Sequence, residues 1–215
     1  MRLIVFDLDG TLIDSRRDLA DAVNALIVER GGEPLPVDSI ASMVGEGAAL
    51  LVRRALSAAG SRLNIERDLP RFLELYDERL LDHTRLYDGT AEMLRTLHAG
   101  ATLAVLTNKP QHPSQRILEG LGIAPFFTHV VGGDTPHGRK PDPSGLRWLM
   151  EATEAAPPQT MMVGDSAIDL RTARAAGTRC CLVRYGFGFS TVSAELTESE
   201  LIVDNPVEIA AAIGF

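Results

Sequence analysis

Short apolar runs alternate with amphipathic helical patterns over most of the chain. Leu3–Phe6 form the first run, of the kind that is buried on both faces as a strand. Similar runs recur at residues 102–106, 130–131, 161–163, 180–183 and 202–203. Helical patterns between them begin at residues 90, 114, 144 and 168, and a last one follows Pro206. Strands that alternate with helices predict an α/β fold with a parallel sheet and right-handed crossovers.

Residues 14–85 interrupt this alternation. Four helical patterns follow one another there, and the first places Leu19, Val23, Leu26 and Ile27 on one face. No strand is predicted in this stretch, so we interpret it as an all-helical insertion after the first strand. The predicted division is a core of residues 1–13 and 86–215 with a helical cap domain of residues 14–85.

Composition and charge narrow the classes of function. The 215 residues carry a net charge of -8, from 21 basic and 29 acidic residues, which argues against a nucleic-acid-binding surface. The chain shows no signal-peptide pattern and no apolar run of membrane-spanning length. The adjacent Cys180 and Cys181 lie in an apolar run and are expected to be buried, reduced thiols. These features predict a cytoplasmic protein with no nucleic-acid or membrane partner; they leave its oligomeric state open.

The predicted strand ends carry the candidate chemistry. Ligands of such sheets bind outside the carboxyl ends of the strands. The residues at these ends, in chain order, are Asp7-Leu8-Asp9-Gly10-Thr11, Thr107-Asn108-Lys109, Gly133-Asp134-Thr135 followed by Arg139-Lys140-Pro141-Asp142, and Gly164-Asp165-Ser166 with Asp169. Together they place carboxylates, a hydroxyl and a lysine along one edge, which indicates a functional site.

The carboxylates favour a hard cation. Side chains alternate along a strand, so Asp7 and Asp9 project to the same side. Two carboxylates so placed disfavour joint ionisation, and a bound divalent cation would relieve this. Three converging carboxylates with no histidine or cysteine in ligand spacing suit a hard metal beside a nucleophile or an acid/base.

These motifs resemble a known superfamily. DLDGT, TNK, the lysine of KPDP and GDSAID resemble the four motifs of the haloacid dehalogenase superfamily of phosphatases. The resemblance covers essentially the whole chain and implies a Rossmann-like core with a C1-type helical cap. VGEGA, LTNKP, VVGGDT and KPDPSGL further resemble phosphoglycolate phosphatases and their close relatives.

The resemblance implies a role for each carboxylate. Asp7 would attack phosphorus and form an aspartyl-phosphate. Asp9 would protonate the leaving oxygen and then activate water. Mg²⁺ would be held by the carboxylates of Asp7 and Asp165 and by the backbone carbonyl of Asp9.

The remaining motif residues would assist. Thr107 would donate a hydrogen bond to the phosphoryl group, and Lys140 would supply positive charge to the nucleophile and the transition state. Asp169 would orient Lys140 or the water shell of the metal. Asn108 and Ser166 are supporting candidates, with a purely structural role as the alternative. Lys109 is interpreted as a neighbour of the site rather than as its catalytic lysine.

The loop Gly45-Glu46-Gly47 is the candidate substrate-binding element of the cap. Two glycines that flank Glu46 fit a close backbone approach to a small ligand, although a plain turn between helices is the alternative. Candidates for lesser substrate roles are Arg53 and Arg54 on a cap helix and His112 and His137, predicted to lie in loops near the site.

The predicted function is hydrolysis of a small phosphorylated metabolite, with 2-phosphoglycolate as the first candidate substrate. A sugar-phosphate phosphatase or a phosphomutase of the same superfamily remains an alternative. A dehalogenase is disfavoured because it needs neither the second aspartate nor the metal. A non-enzymatic aspartyl phospho-acceptor is the alternative from another class, and the large cap and Asp9 argue against it.

Overall fold

The predicted parallel sheet is present in the computed structural model, which describes residues 1–215. Its strands are β1 (Leu3–Phe6), β2 (Ile13–Asp14), β3 (Arg85–Leu86), β4 (Thr102–Leu106), β5 (Phe127–Val131), β6 (Thr160–Gly164), β7 (Arg179–Val183) and β8 (Leu201–Val203). Six of them form one sheet in the order β5-β4-β1-β6-β7-β8, and every neighbouring pair is parallel. The α/β fold class is thus confirmed.

Helices cover both faces of the sheet. They are α1 (Arg16–Glu29), α2 (Val37–Ala41), α3 (Ala48–Ala58), α4 (Ile65–Asp77), α5 (Thr90–His98), α6 (Gln111–Gly120), α7 (Ser144–Ala152), α8 (Ala167–Ala176) and α9 (Val207–Ile213). Ile4 and Phe6 of β1 pack in one apolar cluster with residues of α5, α6 and α9. Leu3 and Val5 pack in a second cluster with residues of α7 and α8. Side chains that alternate along β1 therefore contribute to two apolar cores, one on each face of the sheet.

The register of the sheet aligns the strand ends that carry the motifs. Phe6, the last residue of β1, pairs with Val105 of β4 and with Val163 of β6. The residues that follow these three neighbouring strands consequently meet at one edge.

The segment between β2 and β3 contains α1 to α4 and packs onto the core. Its apolar residues belong to the same cluster as Ile4 and Phe6, so the apolar packing is continuous from cap to sheet. The fully buried carboxylate of Asp18 in α1 accepts hydrogen bonds from the backbone N–H groups of His83 and Thr84 and from the Thr84 hydroxyl. The start of the segment is thereby fixed to its end.

The prediction that residues 14–85 contain no strand is wrong at its two boundaries. Asp14 of β2 pairs with Arg85 of β3 in a two-stranded antiparallel ladder. Both strands have two residues, too few for an alternation to be visible in the sequence. The pairing arises because the outgoing and returning chains run side by side.

Two further features concern the burial of the cysteines and the length of the helices. Cys180 and Cys181 are buried free thiols, as expected. None of the helices has the length and apolar character needed to cross a bilayer.

Candidate active site

Lys140 and two aspartates form the centre of the site. The Lys140 ammonium lies 2.8 Å from an Asp7 carboxylate oxygen and 2.6 Å from one of Asp169. Lys140 comes from the loop before α7, Asp7 follows β1, and Asp169 lies in the first turn of α8. All three are buried. The structure thus brings together residues from three separate motifs.

Asp169 is fixed by the start of its own helix. The backbone N–H and the hydroxyl of Ser166 donate to one oxygen of Asp169, at 3.1 and 2.7 Å. The other oxygen accepts from Lys140. These two hydrogen bonds hold Asp169 in place at the start of α8, so Asp169 in turn positions Lys140. Ser166 therefore supports the site through Asp169.

Asp165 packs against the turn that follows β1. Gly10 has a φ of +85°, and a side chain there would collide with the carboxylate of Asp165, 2.1 Å from the position of an added Cβ. The backbone N–H of Gly188 donates to the same carboxylate at 2.7 Å. Only glycine at position 10 combines this conformation with this close approach.

The buried carboxylates are costly in their ionised form. Burial raises the pKa of Asp7 to about 6, and the Asp169 charge adds to the effect while Lys140 opposes it. Burial, with the charges of Asp169 and Asp7, raises the pKa of Asp165 well above its usual range. Burial alone would lower the pKa of Lys140, but Asp169 and Asp7 raise it above its ordinary value. Asp7 and Asp165 thus have too little positive charge nearby for both carboxyls to ionise readily.

This shortage of positive charge suits a divalent cation. Carboxylate oxygens of Asp7, Asp165 and Asp169 all lie within 4.8 Å of one another. Both oxygens of Asp169 already accept hydrogen bonds, which leaves Asp7 and Asp165 as the carboxylates available to a metal. Hard, buried oxygen donors fit Mg²⁺.

Asp9 pairs with Lys109. The Lys109 ammonium lies 3.0 Å from each oxygen of the Asp9 carboxylate, and the Ser15 hydroxyl donates to Asp9 at 2.5 Å. The same ammonium lies 4.5 Å from the centre of the Tyr76 ring in α4. Lys109 is therefore a buried member of the site, whereas the sequence identified it only as a neighbour. Its place directly after Thr107-Asn108 at a strand end was the available signal.

Thr107 and Asn108 directly follow β4. The Thr107 hydroxyl oxygen accepts from the backbone N–H of Lys109 at 3.2 Å and donates no hydrogen bond within the protein. The Asn108 side-chain amide donates to the carbonyls of Gly45 and Lys140, both at 2.9 Å. Asn108 thus connects the loop of the cap with the lysine loop of the core.

A cavity lies between these residues and the cap helices. The motif residues that line it are Asp7, Asp9, Thr107, Asn108, Lys109, Asp165 and Ser166. The cap contributes a largely apolar wall: Leu19, Val44, Gly45, Gly47, Ala48, Leu51, Phe72, Leu73 and Tyr76. Pro110, Phe187 and Gly188 complete the lining. Lys109 is the only basic side chain in the lining.

The cap loop contributes its two glycines but not its acid. Gly45 and Gly47 line the cavity, whereas the Glu46 carboxylate pairs with Arg54 outside it. Arg53 is exposed. Neither Arg53 nor Arg54 lines the cavity, so the structure does not support the predicted substrate role of either.

The two candidate histidines lie away from the cavity. His112 is within α6 rather than in a loop, and its exposed ring lies 3.7 Å from Asp77. The His137 ring stacks on Trp148, with ring centres 4.0 Å apart. Neither contributes to the lining.

Tyr76 in α4 is a functional candidate that the sequence analysis did not single out. It lines the cavity, is almost fully buried, and its hydroxyl has no hydrogen-bond partner. Burial raises its pKa to about 12, so the hydroxyl remains a neutral donor. No periodicity distinguishes such a residue from its apolar neighbours.

The chain is similar to known proteins in both sequence and fold. The chain is 41% identical to the phosphoglycolate phosphatase of Rhodospirillum rubrum over 201 residues, which cover 90% of this chain and 83% of that protein. The crystal structure of a predicted phosphoglycolate phosphatase from Haemophilus somnus superposes with a TM-score of 0.92 at 30% identity, over 99% of this chain and 98% of that one. The fold is also that of CbbY from Rhodobacter sphaeroides, solved in complex with phosphate, with a TM-score of 0.82 and 22% identity over the full length of both chains.

A match to a family covers the sheet and the cap together. Residues 4–183 match the model of the haloacid dehalogenase-like hydrolases. This range extends from β1 to the end of β7 and includes every residue of the cavity except those of the loop after β7. The chain therefore belongs to the haloacid dehalogenase-like hydrolase family.

Proposed function

We propose that this hydrolase is a Mg²⁺-dependent phosphatase that hydrolyses a small phosphomonoester, 2-phosphoglycolate, through an aspartyl-phosphate intermediate. One observation carries the proposal: the Asp7 carboxylate, held by Lys140 beside Asp165, lies on the floor of a cavity whose opposite wall is formed by the cap. The name of the Rhodospirillum rubrum relative supports the choice of substrate.

The first half-reaction transfers the phosphoryl group to Asp7. A carboxylate oxygen of Asp7 attacks phosphorus, and the bond from phosphorus to the ester oxygen breaks with its electron pair on that oxygen. Asp9, which lines the same cavity, donates a proton to the leaving oxygen, so an alcohol departs. Lys140 keeps the attacking carboxylate in place through its 2.8 Å contact.

The second half-reaction regenerates the enzyme. Asp9, now a carboxylate, takes a proton from water, and the water oxygen attacks the phosphorus of the aspartyl-phosphate. The bond to Asp7 breaks, and inorganic phosphate leaves. Thr107, whose hydroxyl proton has no acceptor within the protein, donates to a phosphoryl oxygen in both steps.

Mg²⁺ would be held by the carboxylates of Asp7 and Asp165 and by the backbone carbonyl of Asp9. When bound, it neutralises the phosphoryl charge and the two buried acids. Asp169 and Ser166 act indirectly, because they hold Lys140 rather than the substrate.

We further propose that residues 14–85 act as a closing cap. Their two linkers pair as β2 and β3, so the chain enters and leaves the segment at one place and can hinge there. Closure would exclude water from the reacting groups, with Gly45 and Gly47 over the substrate.

The lining of the cavity argues against a sugar phosphate as the substrate. The cap wall is apolar apart from Tyr76, and several sugar hydroxyls would lose their hydrogen bonds to water there. A phosphomutase would have to bind the same kind of substrate. A one-time phospho-acceptor is disfavoured by membership of a hydrolase family.

Phosphate release from a panel of substrates tests the proposal. The purified protein is assayed with Mg²⁺ on 2-phosphoglycolate, glucose 6-phosphate and an aryl phosphate, with Asp7→Asn as the inactive control. Many turnovers per enzyme, with 2-phosphoglycolate as the best substrate, are expected. A single turnover would contradict the hydrolase mechanism, and a preference for the sugar phosphate would contradict the substrate.

A further inference from the structure

The cavity contains one cation that the proposed mechanism does not use. Lys140 binds the nucleophile, whereas Lys109 binds Asp9 and faces the cap. Its side chain is 3% exposed and is the only basic one in the lining. A buried ammonium has three donors, and the Asp9 carboxylate occupies two of them at 3.0 Å.

The cap supplies a second unused donor beside this ammonium. The Tyr76 ring lies 4.5 Å from the Lys109 nitrogen, and the Tyr76 hydroxyl is buried without a hydrogen-bond partner. A buried hydroxyl left without a partner destabilises the protein, so a ligand acceptor would recover free energy there. Neighbouring residues of the cap wall, such as Phe72 and Leu73, are apolar and provide no competing acceptor.

We propose that Lys109 and Tyr76 form the subsite that binds the carboxylate of the leaving group. The proposal rests on the proposed function, since it assigns the recognition of the acid in 2-phosphoglycolate. Asp9 meets the ester oxygen, and one methylene separates that oxygen from the carboxylate. A cation within 3.0 Å of Asp9 is therefore placed within reach of the substrate acid.

Binding the acid requires little rearrangement. Lys109 can direct its free donor to the substrate while it keeps contact with Asp9, and Asp9 retains the hydrogen bond from the Ser15 hydroxyl. The cap contributes one half of the subsite and the core the other. The acid would thus join the two parts of the molecule when the cap closes.

The other basic residues near the cavity either have partners elsewhere or are exposed. Arg54 pairs with the Glu46 carboxylate, and Arg139 donates to the Glu46 carbonyl at 3.4 Å. Arg53 is exposed, and none of these three lines the cavity. An anionic leaving group therefore meets Lys109 first.

The test compares ligands that differ only in the carboxylate. We would measure kcat/KM for 2-phosphoglycolate and for ethyl phosphate in the wild type, Lys109→Met, Tyr76→Phe and the control Arg53→Met. The ratio of the two values cancels any effect of Lys109→Met on Asp9 itself. Calorimetric Kd values for 3-phosphonopropionate and propylphosphonate, which cannot be hydrolysed, give a readout independent of turnover.

We expect Lys109→Met to lower the preference for 2-phosphoglycolate about 10- to 100-fold and Tyr76→Phe to lower it about tenfold. The preference for 3-phosphonopropionate should fall in parallel, and Arg53→Met should change neither. Tyr76→Phe removes only an unpaired hydroxyl, so it should fold as the wild type does.

The outcomes separate the subsite from the proposed function. If the wild type prefers 2-phosphoglycolate and both variants keep its ratio, the subsite is wrong while the proposed function stands. If the wild type shows no preference in either assay, both are wrong. If turnover is absent but the phosphonate preference exists and is lost in the variants, the subsite stands and the proposed catalysis fails.

Discussion

Asn108 and Gly45 are joined across the cavity by a hydrogen bond of 2.9 Å from the side-chain amide to the backbone carbonyl. The same amide donates to the carbonyl of Lys140 at 2.9 Å. One buried side chain of the core therefore contacts the cap loop and the lysine loop at once. A change at Asn108 should affect both closure and the position of Lys140.

Asn108→Asp tests this connection, because a carboxylate cannot donate to either carbonyl. We expect kcat/KM to fall at least about tenfold, as is usual when buried acceptors lose their donor. Asn24→Asp is the matched control: the Asn24 amide also donates to a carbonyl, that of Leu35 at 2.9 Å, but within the cap. Both variants should lower Tm, and equal activity of the two would contradict a role for Asn108 in the site.

Asp7→Asn should abolish turnover while the fold is kept. The change is nearly isosteric, and the amide can still accept from Lys140, but it is not a nucleophile. Asp134→Asn is the control, since Asp134 follows β5 and accepts from the Gln111 N–H outside the cavity. A kcat above about one hundredth of the wild-type value would exclude Asp7 as the covalent nucleophile.

Removal of divalent metal should remove the activity. Asp7 and Asp165 lack the positive charge that their joint ionisation needs, and a substrate phosphate adds further negative charge. Excess chelator is therefore expected to stop phosphate release, and added Mg²⁺ to restore it. Full activity in excess chelator would contradict the metal site.

Asp165→Asn should stabilise the metal-free protein at neutral and higher pH. A carboxyl whose pKa is raised on folding contributes stability that is complete below its unfolded pKa and is lost as the pH rises through its folded pKa. The Tm difference between this variant and the wild type should thus grow as the pH rises above the unfolded pKa of an aspartate, about 4. Mg²⁺ should raise Tm in the wild type only.

Asp142→Asn provides the opposite sign as a control for that experiment. Hydrogen bonds from the Ser144 hydroxyl and N–H lower the pKa of Asp142, so its contribution is present above its unfolded pKa and lost as the pH falls. This variant should not gain stability at high pH. A Tm gain common to both variants would show a general charge effect instead.

Gly47→Val tests the cap loop as the specificity element. Gly47 has a φ of +91°, and an added Cβ would lie 2.9 Å from an Arg139 nitrogen and 3.4 Å from the Asn108 carbonyl. The loop should shift, and kcat/KM for 2-phosphoglycolate should fall more than for an aryl phosphate. Gly60→Val is the control, because it carries similar backbone strain at a φ of +65° but its added Cβ would meet no neighbouring atom. Equal losses on both substrates in Gly47→Val would count against the loop.

The parallel sheet and the set of acids at its edge could be predicted from the sequence alone. Leu3–Phe6 are an apolar run typical of a doubly buried strand, and chain direction then determines that Asp7 lies at the carboxyl edge. The same logic applies to Thr107 and Asp165, because Thr107 directly follows β4 and Asp165 directly follows β6. Local periodicity identifies the strands, and the shared direction of parallel strands then brings the residues that follow them to one edge of the sheet.

The partners of these groups were decided by the tertiary structure. Lys109 and Asp9 are a hundred residues apart in sequence and meet as an ion pair, while Glu46 turns to Arg54 and away from the cavity. The Asp14–Arg85 pairing likewise joins two distant, very short strands. Periodicity determines which face of an element is buried, but it does not determine where a loop side chain points. That direction depends on contacts between segments that only the folded chain brings together.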